Sequence, residues 1–544
     1  MIPFTAADRL TLPILRMADR YGNGWQFKRQ GNSLLLALIE LTQGLLSGRE
    51  VHVIQDENTP ISGMLNDFVL VNKTNGERRF LVGYRHDGEG NLIATLDADN
   101  HPYQFEYIAD SQMVRHTDRN GLSFYYGYQR HSDGLNRVEH AWGDGGLFDY
   151  RFHYDRVYQE TQITDSLGHT TLLRYDERGL PFARVTPLGG VYSYQYDAQC
   201  RTIAEIDPAG NTHGWVYDQY ANLTEETFAD RSSVKTEYGD DHKPVRITDP
   251  GGRFWRQSWD AQGKVISQTT PGKIATHFTY DDLGQLVAVV DASQQRTELA
   301  YDAWGFLRVI TDARGNATSF KHDFCGNLLK KVAANGDITR YQYDKKQRLT
   351  GCTLPDARTI RCEYDREDNL LLYNENGSRI TRFGYFGQGR LQSRTDPDGS
   401  QTEYLYDTEE QLIGVKNQRG KTWQLKRNAE GRLIEEVDYW GQSRGYQYNA
   451  VGHLTGSHDP LGQILAVTCD KLGRITEKSI AGDEQAWERY EYNVQGQLIG
   501  AVNPAVTVTR RYNQDGQLAQ EIQQQPQVSA TVEYGYNAAG QQAE

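Results

Sequence analysis

The sequence lacks the signals that mark disulfide-stapled, membrane and nucleic-acid-binding proteins. Cysteine is scarce: Cys200, Cys325, Cys352, Cys362 and Cys469 are the five in 544 residues. An odd number at irregular spacing fits neither a disulfide framework nor a zinc site. Cys352 and Cys362 flank one turn and share strand parity, so ordinary strand residues are expected, with a cross-hairpin disulfide as the alternative. Long apolar runs are missing too. The longest, Leu34 to Leu46, is broken by Glu40, Thr42, Gln43 and Gly44, and falls short of the ~20 residues of a membrane-crossing helix. Met1-Ile2-Pro3-Phe4-Thr5 has no basic segment followed by an apolar core, so no secretory signal is expected. Positive charge has no excess: 58 Lys and Arg face 72 Asp and Glu, a net charge of −14. The signs are interspersed, as in Asp344-Lys345-Lys346-Gln347-Arg348, which describes a solvated face and not a nucleic-acid-binding stripe.

Catalytic signatures are equally thin. There is no His-Glu-x-x-His, Walker loop or Gly-x-Ser-x-Gly. The acidic pairs Asp240-Asp241, Asp281-Asp282 and Glu435-Glu436 have the residue type for glycosidase acid–base work. Adjacent strand residues point to opposite faces, however, which argues against a working pair. Asp396-Pro397-Asp398-Gly399-Ser400 resembles half a calcium loop without the downstream glutamate, and reads as turn chemistry. No catalytic, cofactor-binding or metal-binding residue is assigned, and no enzyme activity is expected. Aliphatics are sparse as well: apolar residues with glycine and without tyrosine make up about 42%, below the usual ~45–50%. A single-layer sheet wetted on both sides has little interior to fill and accommodates that deficit.

What the sequence has in abundance is repetition. Tyr280-Asp281-Asp282-Leu283-Gly284-Gln285-Leu286 reappears 21 residues later as Tyr301-Asp302-Ala303-Trp304-Gly305-Phe306-Leu307. The same interval runs back from Tyr280 through Trp259, Tyr238, Tyr217, Tyr196, Tyr175 and Tyr154. Forward from Tyr301 it passes His322, Tyr343, Tyr364, Tyr385, Tyr406, Arg427, Tyr448 and Cys469. These are fifteen intervals with no insertion or deletion, followed by looser copies at Tyr492, Tyr512 and Tyr536. Such a register marks a repeat architecture.

Ahead of each tyrosine slot, apolar and β-branched residues alternate, as in Thr276, Phe278 and Tyr280. That is the period of a half-buried strand. The Asp-x-x-Gly that follows is a turn, because aspartate bonds to backbone two residues on and glycine accepts positive φ. A second strand, Leu286 to Val290, leads to another turn, Asp-Pro-x-Gly in its clearest copies at Asp207, Asp396 and Asp459. Each repeat is therefore expected to be a β-hairpin, and the hairpins to join into one antiparallel ribbon. Sixteen strict hairpins give ~32 strands and about 150 Å of sheet, a ring roughly 50 Å wide if curled once. Tyr, Trp and Phe make up 11% of the chain. Packing of neighbouring rings into ladders is the expected role, with rows of exposed rings binding glycans as the alternative.

The regularity divides the chain into lead-in strands over 1–75, degenerate repeats over 76–153, strict repeats over 154–480 and irregular repeats over 481–544. A helix over Leu34–Leu46 is the alternative in the lead-in.

These residues resemble the Rhs, or YD-repeat, family of bacterial polymorphic toxins. Its relatives include the C component of insecticidal toxin complexes and the shell of the animal teneurins. The likeness covers about residues 75–540, and Met17-Ala18-Asp19-Arg20-Tyr21-Gly22 is similar to the segment that leads into Rhs repeats. The resemblance implies an all-β ribbon curling into a hollow shell that encloses a toxic C-terminal domain. It implies a non-enzymatic container whose partners are that domain and components of a toxin complex or secretion system, such as type VI. Such a chain is made in the bacterial cytoplasm without a signal peptide and exported or injected by specialised machinery. Complete members carry a further core segment, an autoproteolytic site and a variable toxin after the repeats, and some carry a needle-tip module in front. None is seen in this sequence, so the expectation is a shell piece alone, which the lack of the terminal core segment can leave open. Its structural residues are the tyrosine slots, with Asp281, Gly284, Leu286, Asp302, Gly305 and Leu307.

Overall fold

The computed structural model describes residues 16–18, 23–30, 34–42, 45–54 and 66–542, which form 48 strands and two short 3-10 turns, Ala109–Ser111 and Asp144–Gly146. Leu34–Thr42 and Leu45–Ile54 are strands, where the sequence left helix and strand open. Asp19, Arg20, Tyr21 and Gly22 of the lead-in motif lie outside the described residues.

A strand of six residues, a tight turn, a strand of five and a second tight turn make up most strict repeats, while Arg379–Phe386 and Arg390–Thr395 run to eight and six. In one repeat Arg296–Tyr301 pairs antiparallel with Leu307–Thr311, which pairs in turn with Ala317–His322. The register slips by one residue between Ala300 and Tyr301. The same slip recurs just before Tyr196, Tyr238, Tyr364 and Tyr448. One bulge per hairpin, at a fixed place, is how a repeated ribbon acquires a uniform bend.

Both turns have the same chemistry. In the turn after Tyr280, the Asp281 N–H donates to the Gln285 carbonyl at 2.9 Å and the Gly284 N–H to the Asp281 carbonyl at 3.0 Å. The Asp281 carboxylate accepts the N–H groups of Leu283 and Gln285, both at 2.9 Å. In the turn after Ile206, Asp207 accepts from Ala209 and Asn211 in the same way, and the Asn211 amide adds a bond to the second carboxylate oxygen at 2.9 Å. Where arginine takes that place its Nε makes the bond, as Arg348 does to Asp344 at 2.7 Å. Two or three hydrogen bonds converge on one carboxylate, which is why aspartate opens most turns.

Strand alternation sorts the faces. Thr276, Phe278 and Tyr280 are half-buried, while His277 and Thr279 are exposed. Among the described residues just fourteen hydrophobic side chains are buried. Four of them, Ala183, Ala204, Ala288 and Leu372, share the middle position of the second strand, where Gly351, Gly414 and Gly456 are buried too. At Gly351, Gly414 and Gly456 the atoms nearest an added Cβ come from the neighbouring strands, such as Gln342, Trp423 and Leu465.

Contacts divide the chain into two units. One comprises Met1–Tyr126, Phe278–Val289 and Arg296–Gly399; the other Gly127–His277, Val290–Gln295 and Ser400–Glu544. This division cuts across the regions distinguished by repeat regularity, because each unit combines an early stretch of ribbon with a late one.

Candidate functional site

The tyrosine slot is a stitch between hairpins. Tyr196, Tyr238, Tyr301, Tyr364, Tyr385 and Tyr448 each donate a 2.8–2.9 Å hydrogen bond to the backbone carbonyl fifteen residues earlier, at the start of the preceding strand. Tyr154 makes the equivalent bond to Val138 at 2.9 Å. Trp259 occupies the slot with its indole N–H on Pro244, 2.9 Å, and Arg427 reaches Leu412 with Nη2 at 3.3 Å. Trp259 and Arg427 thus keep the donor that tyrosine supplies, and Cys469 turns its thiol to the Leu454 carbonyl at 3.7 Å. Burial pushes the Tyr301, Tyr364 and Tyr385 phenols above their ordinary range, so they stay protonated and keep donating.

Tyr175, Tyr217 and Tyr343 fill the slot, half-buried, without that bond. Tyr280 and Tyr406 are the last residues of their strands, Ala275–Tyr280 and Gln401–Tyr406. Gly284 and Gly305 adopt φ of +76° and +83°. Asp302 caps its turn through Trp304 and Phe306, Leu286 supplies the carbonyl that Tyr301 meets, and Leu307 lies opposite Tyr301.

The expected ring ladders do not form at these slots. Tyr196, Tyr217, Tyr238 and Tyr364 have no ring partner, because equivalent rings sit two strands, about 10 Å, apart and ring pairs need ~4.5–7 Å. A guanidinium fills the gap instead: Arg201 lies 4.7 Å from the Tyr217 ring and Arg348 5.0 Å from that of Tyr364. Arg348 also donates to the Asp365 carbonyl at 2.7 Å, tying one turn to the next.

A second construction was not expected from the sequence. In each unit the late stretch of ribbon lies edge to edge with the early one, and the edges meet by the same rule. Turns that follow second strands in the early stretch dock on turns that follow tyrosine slots in the late stretch. In the first unit Lys346 Nζ sits 3.0 Å from Asp97, and Arg119 and Asn120 bond Glu367 and Asp365. In the second unit the Ser166 N–H and hydroxyl donate to Glu409 at 2.9 and 2.5 Å, and the Tyr150 hydroxyl donates to its other oxygen at 2.7 Å. The Gly272 N–H donates to Asp515 at 2.8 Å, and a Cβ on Gly272 would lie 1.9 Å from that carboxylate. Paired turns begin at Asp97 and Asp344 in one unit and at Asp165 and Asp407 in the other, 247 and 242 residues apart. The ribbon therefore meets itself after just under twelve 21-residue repeats, sooner than the sixteen of the sequence-based estimate. Burial works against the Asp97 carboxylate, but the His101 N–H and Lys346 outweigh it and hold its pKa below the usual range.

The acidic pairs do not converge. Glu435 bonds Lys426 and Ser443 at 2.7 Å each, while Glu436 takes the Tyr446 hydroxyl at 2.6 Å. Asp281 is spent on its turn. Cys352 and Cys362 are buried and free, so the alternative disulfide is absent.

Two families match the sequence: RHS Repeat over residues 280–317 and 427–464, and Teneurin YD-shell over residues 128–280. Between them these matches mark residues 128–317 and 427–464 as Rhs/YD repeats. Among solved structures, the Rhs/YD ribbon is similar to a Tc holotoxin pore of Photorhabdus luminescens containing a TccC3 variant, over 94% of this chain at TM-score 0.57 and 14% identity. TcdB2-TccC3 without its hypervariable C-terminal region matches over 94% at TM-score 0.56 and 15% identity. TcdB2-TccC3-TEV matches over 90% at TM-score 0.55 and 15% identity. At these identities the likeness is one of fold. The chain covers 32% of each of these chains, about a third of their length. No curated protein matches the sequence. No helix among the described residues is long and apolar enough to cross a membrane.

Proposed function

We propose that this Rhs/YD ribbon is a non-enzymatic wall that encloses another polypeptide, a toxic C-terminal domain in its natural setting. The edge-to-edge docking of turns carries the reading. It sets two stretches of ribbon side by side within each unit, joined by backbone N–H groups on carboxylates and by ion pairs such as Lys346–Asp97. The alternation of faces supports it: the exposed set at His277 and Thr279 is polar, a surface that gives an enclosed chain little to fold against. The similar solved chains are named as toxin complexes, which makes a toxin and further toxin-complex or secretion components the expected partners.

The test is protection. A small foreign domain fused after Glu544 should be digested at least several-fold more slowly than the same domain on a flexible linker. A variant carrying Glu367→Lys and Glu409→Lys, which opposes charge at both docked edges, should lose that protection. Equal digestion of all three would overturn the proposal.

A further inference from the structure

We propose that three consecutive repeats carry a binding cleft for a neutral oligosaccharide. The cleft has a volume of about 470 Å³ and lies wholly within the second unit. Tyr175, Tyr194, Tyr196, Trp215 and Tyr217 line it. Tyr194 and Trp215 hold the same position in successive hairpins, as do Tyr175, Tyr196 and Tyr217. The rings therefore recur at about 10 Å, twice the strand spacing.

Two of the cleft's charged groups stand unpartnered beside its rings. Arg184 and Glu205 hold one position of the second strand, which is aliphatic in some repeats, as at Ile163, Ile247, Val289, Ile310 and Val415, and polar in others, as at Glu226, Gln268, Lys331 and Glu436. Arg184 faces Leu173 and Tyr192 across the strands, and Glu205 faces Tyr194 and His213. Two strands apart, the two charges are too distant to pair with each other. Among the described residues neither has an ion-pair or hydrogen-bond partner, whereas Glu226, one repeat further on, bonds His213 at 2.8 Å. The Arg184 guanidinium rests 4.3 Å from the Tyr192 ring, held in place without being neutralised. The hydroxyls of Tyr175, Tyr194 and Tyr217 are also without partners, while that of Tyr196 is committed to Pro181.

An aromatic floor with unmatched donors and acceptors at its rim is the usual make-up of a ligand site. The pair of opposite charges selects the ligand class. An anionic chain is repelled at Glu205 and a cationic one at Arg184. Sugar hydroxyls both donate and accept, so a neutral sugar satisfies each, and its C–H faces lie against the rings. The recurrence of rings favours a chain of sugars over a single one.

The test uses the whole chain and three neutral probes: cellohexaose, chitohexaose and maltohexaose, titrated by calorimetry. At least one should bind with a dissociation constant at or below millimolar, and Trp215→Ala should weaken it at least tenfold. The decisive variant combines Arg184→Ile with Glu205→Val, the residue types that Ile163, Ile247, Val289 and Ile310 place at this position, and keeps the fold. It should abolish binding with the melting temperature unchanged or raised. Binding that survives in that variant overturns the proposal, as does failure of all three sugars with the native chain. Equal affinity for an uncharged capped peptide of similar length overturns it too. The readout does not depend on cargo protection, so it separates from the container proposal.

Discussion

The Tyr301 hydroxyl donates a 2.8 Å hydrogen bond to the Leu286 carbonyl, fifteen residues back in the preceding hairpin. That bond joins units that loop chemistry alone would leave independent. Tyr301→Phe keeps the ring and removes the bond, and should cost about 0.5–1.5 kcal/mol. Because repeats couple mainly to their neighbours, amide exchange should speed up in Leu286–Val290 and Arg296–Thr311 and stay unchanged in distant repeats. Uniform loss of protection along the ribbon would contradict a nearest-neighbour stitch.

Strands and turns were legible because their signals are local. Period-two alternation gives the strands, and aspartate with glycine three residues later gives most turns. The turn rule was nevertheless incomplete. Cys200, Ala221, His242, Gln294 and Gln347 sit at the glycine position with φ of 60–69°. Each carries roughly 1–2 kcal/mol of strain, which paired strands on both sides and the aspartate cap offset. Arg427 looked like a lapse in the tyrosine register and proves to keep the donor. The docked edges were not legible at all, since Asp97 and Lys346, or Ser166 and Glu409, share no pattern in sequence. Glycine at 251 and 272 is the one trace: a Cβ there would strike Gln495 or Asp515.

Two glycine substitutions separate turn from edge. Gly284→Val forces a β-branched residue into φ of +76° and should cost roughly 1–3 kcal/mol within its own hairpin. Gly272→Ala should instead disturb two places, its own turn and the turn at 513–517, by expelling Asp515. Exchange rates of both turns, measured by mass spectrometry, check this; an effect of Gly272→Ala confined to 270–274 would count against edge docking.

The ionic cluster of the first unit should respond to acid. The Asp97 side chain is 7% exposed and that of Lys346 9%, with Arg119 Nε 3.6 Å from the carboxylate. The folded pKa of Asp97 lies below its unfolded value. Its stabilisation is thus complete above about pH 5 and is lost as pH falls through the lowered folded value, below about pH 4. Protection of the turns at 97–101 and 344–348 should be flat from pH 7 to 5 and fall below 4. Asp97→Asn should lower it at pH 7 and flatten the dependence. Protection that rises on acidification would show the sign to be wrong.

Substituting Asp281 or Asp282 by asparagine should change stability alone. The intact chain should leave glycan, peptide, nucleotide and nucleic-acid substrates unaltered over hours. Turnover abolished by one such substitution, with the melting temperature preserved, would replace the container with an enzyme.

The central claim is a hollow wall, and an envelope from electron cryomicroscopy tests it most directly. The account predicts a low-density interior bounded by sheet one layer thick, with turns meeting along a continuous line. Solid density throughout, or a flat ribbon whose edges never meet, would contradict it.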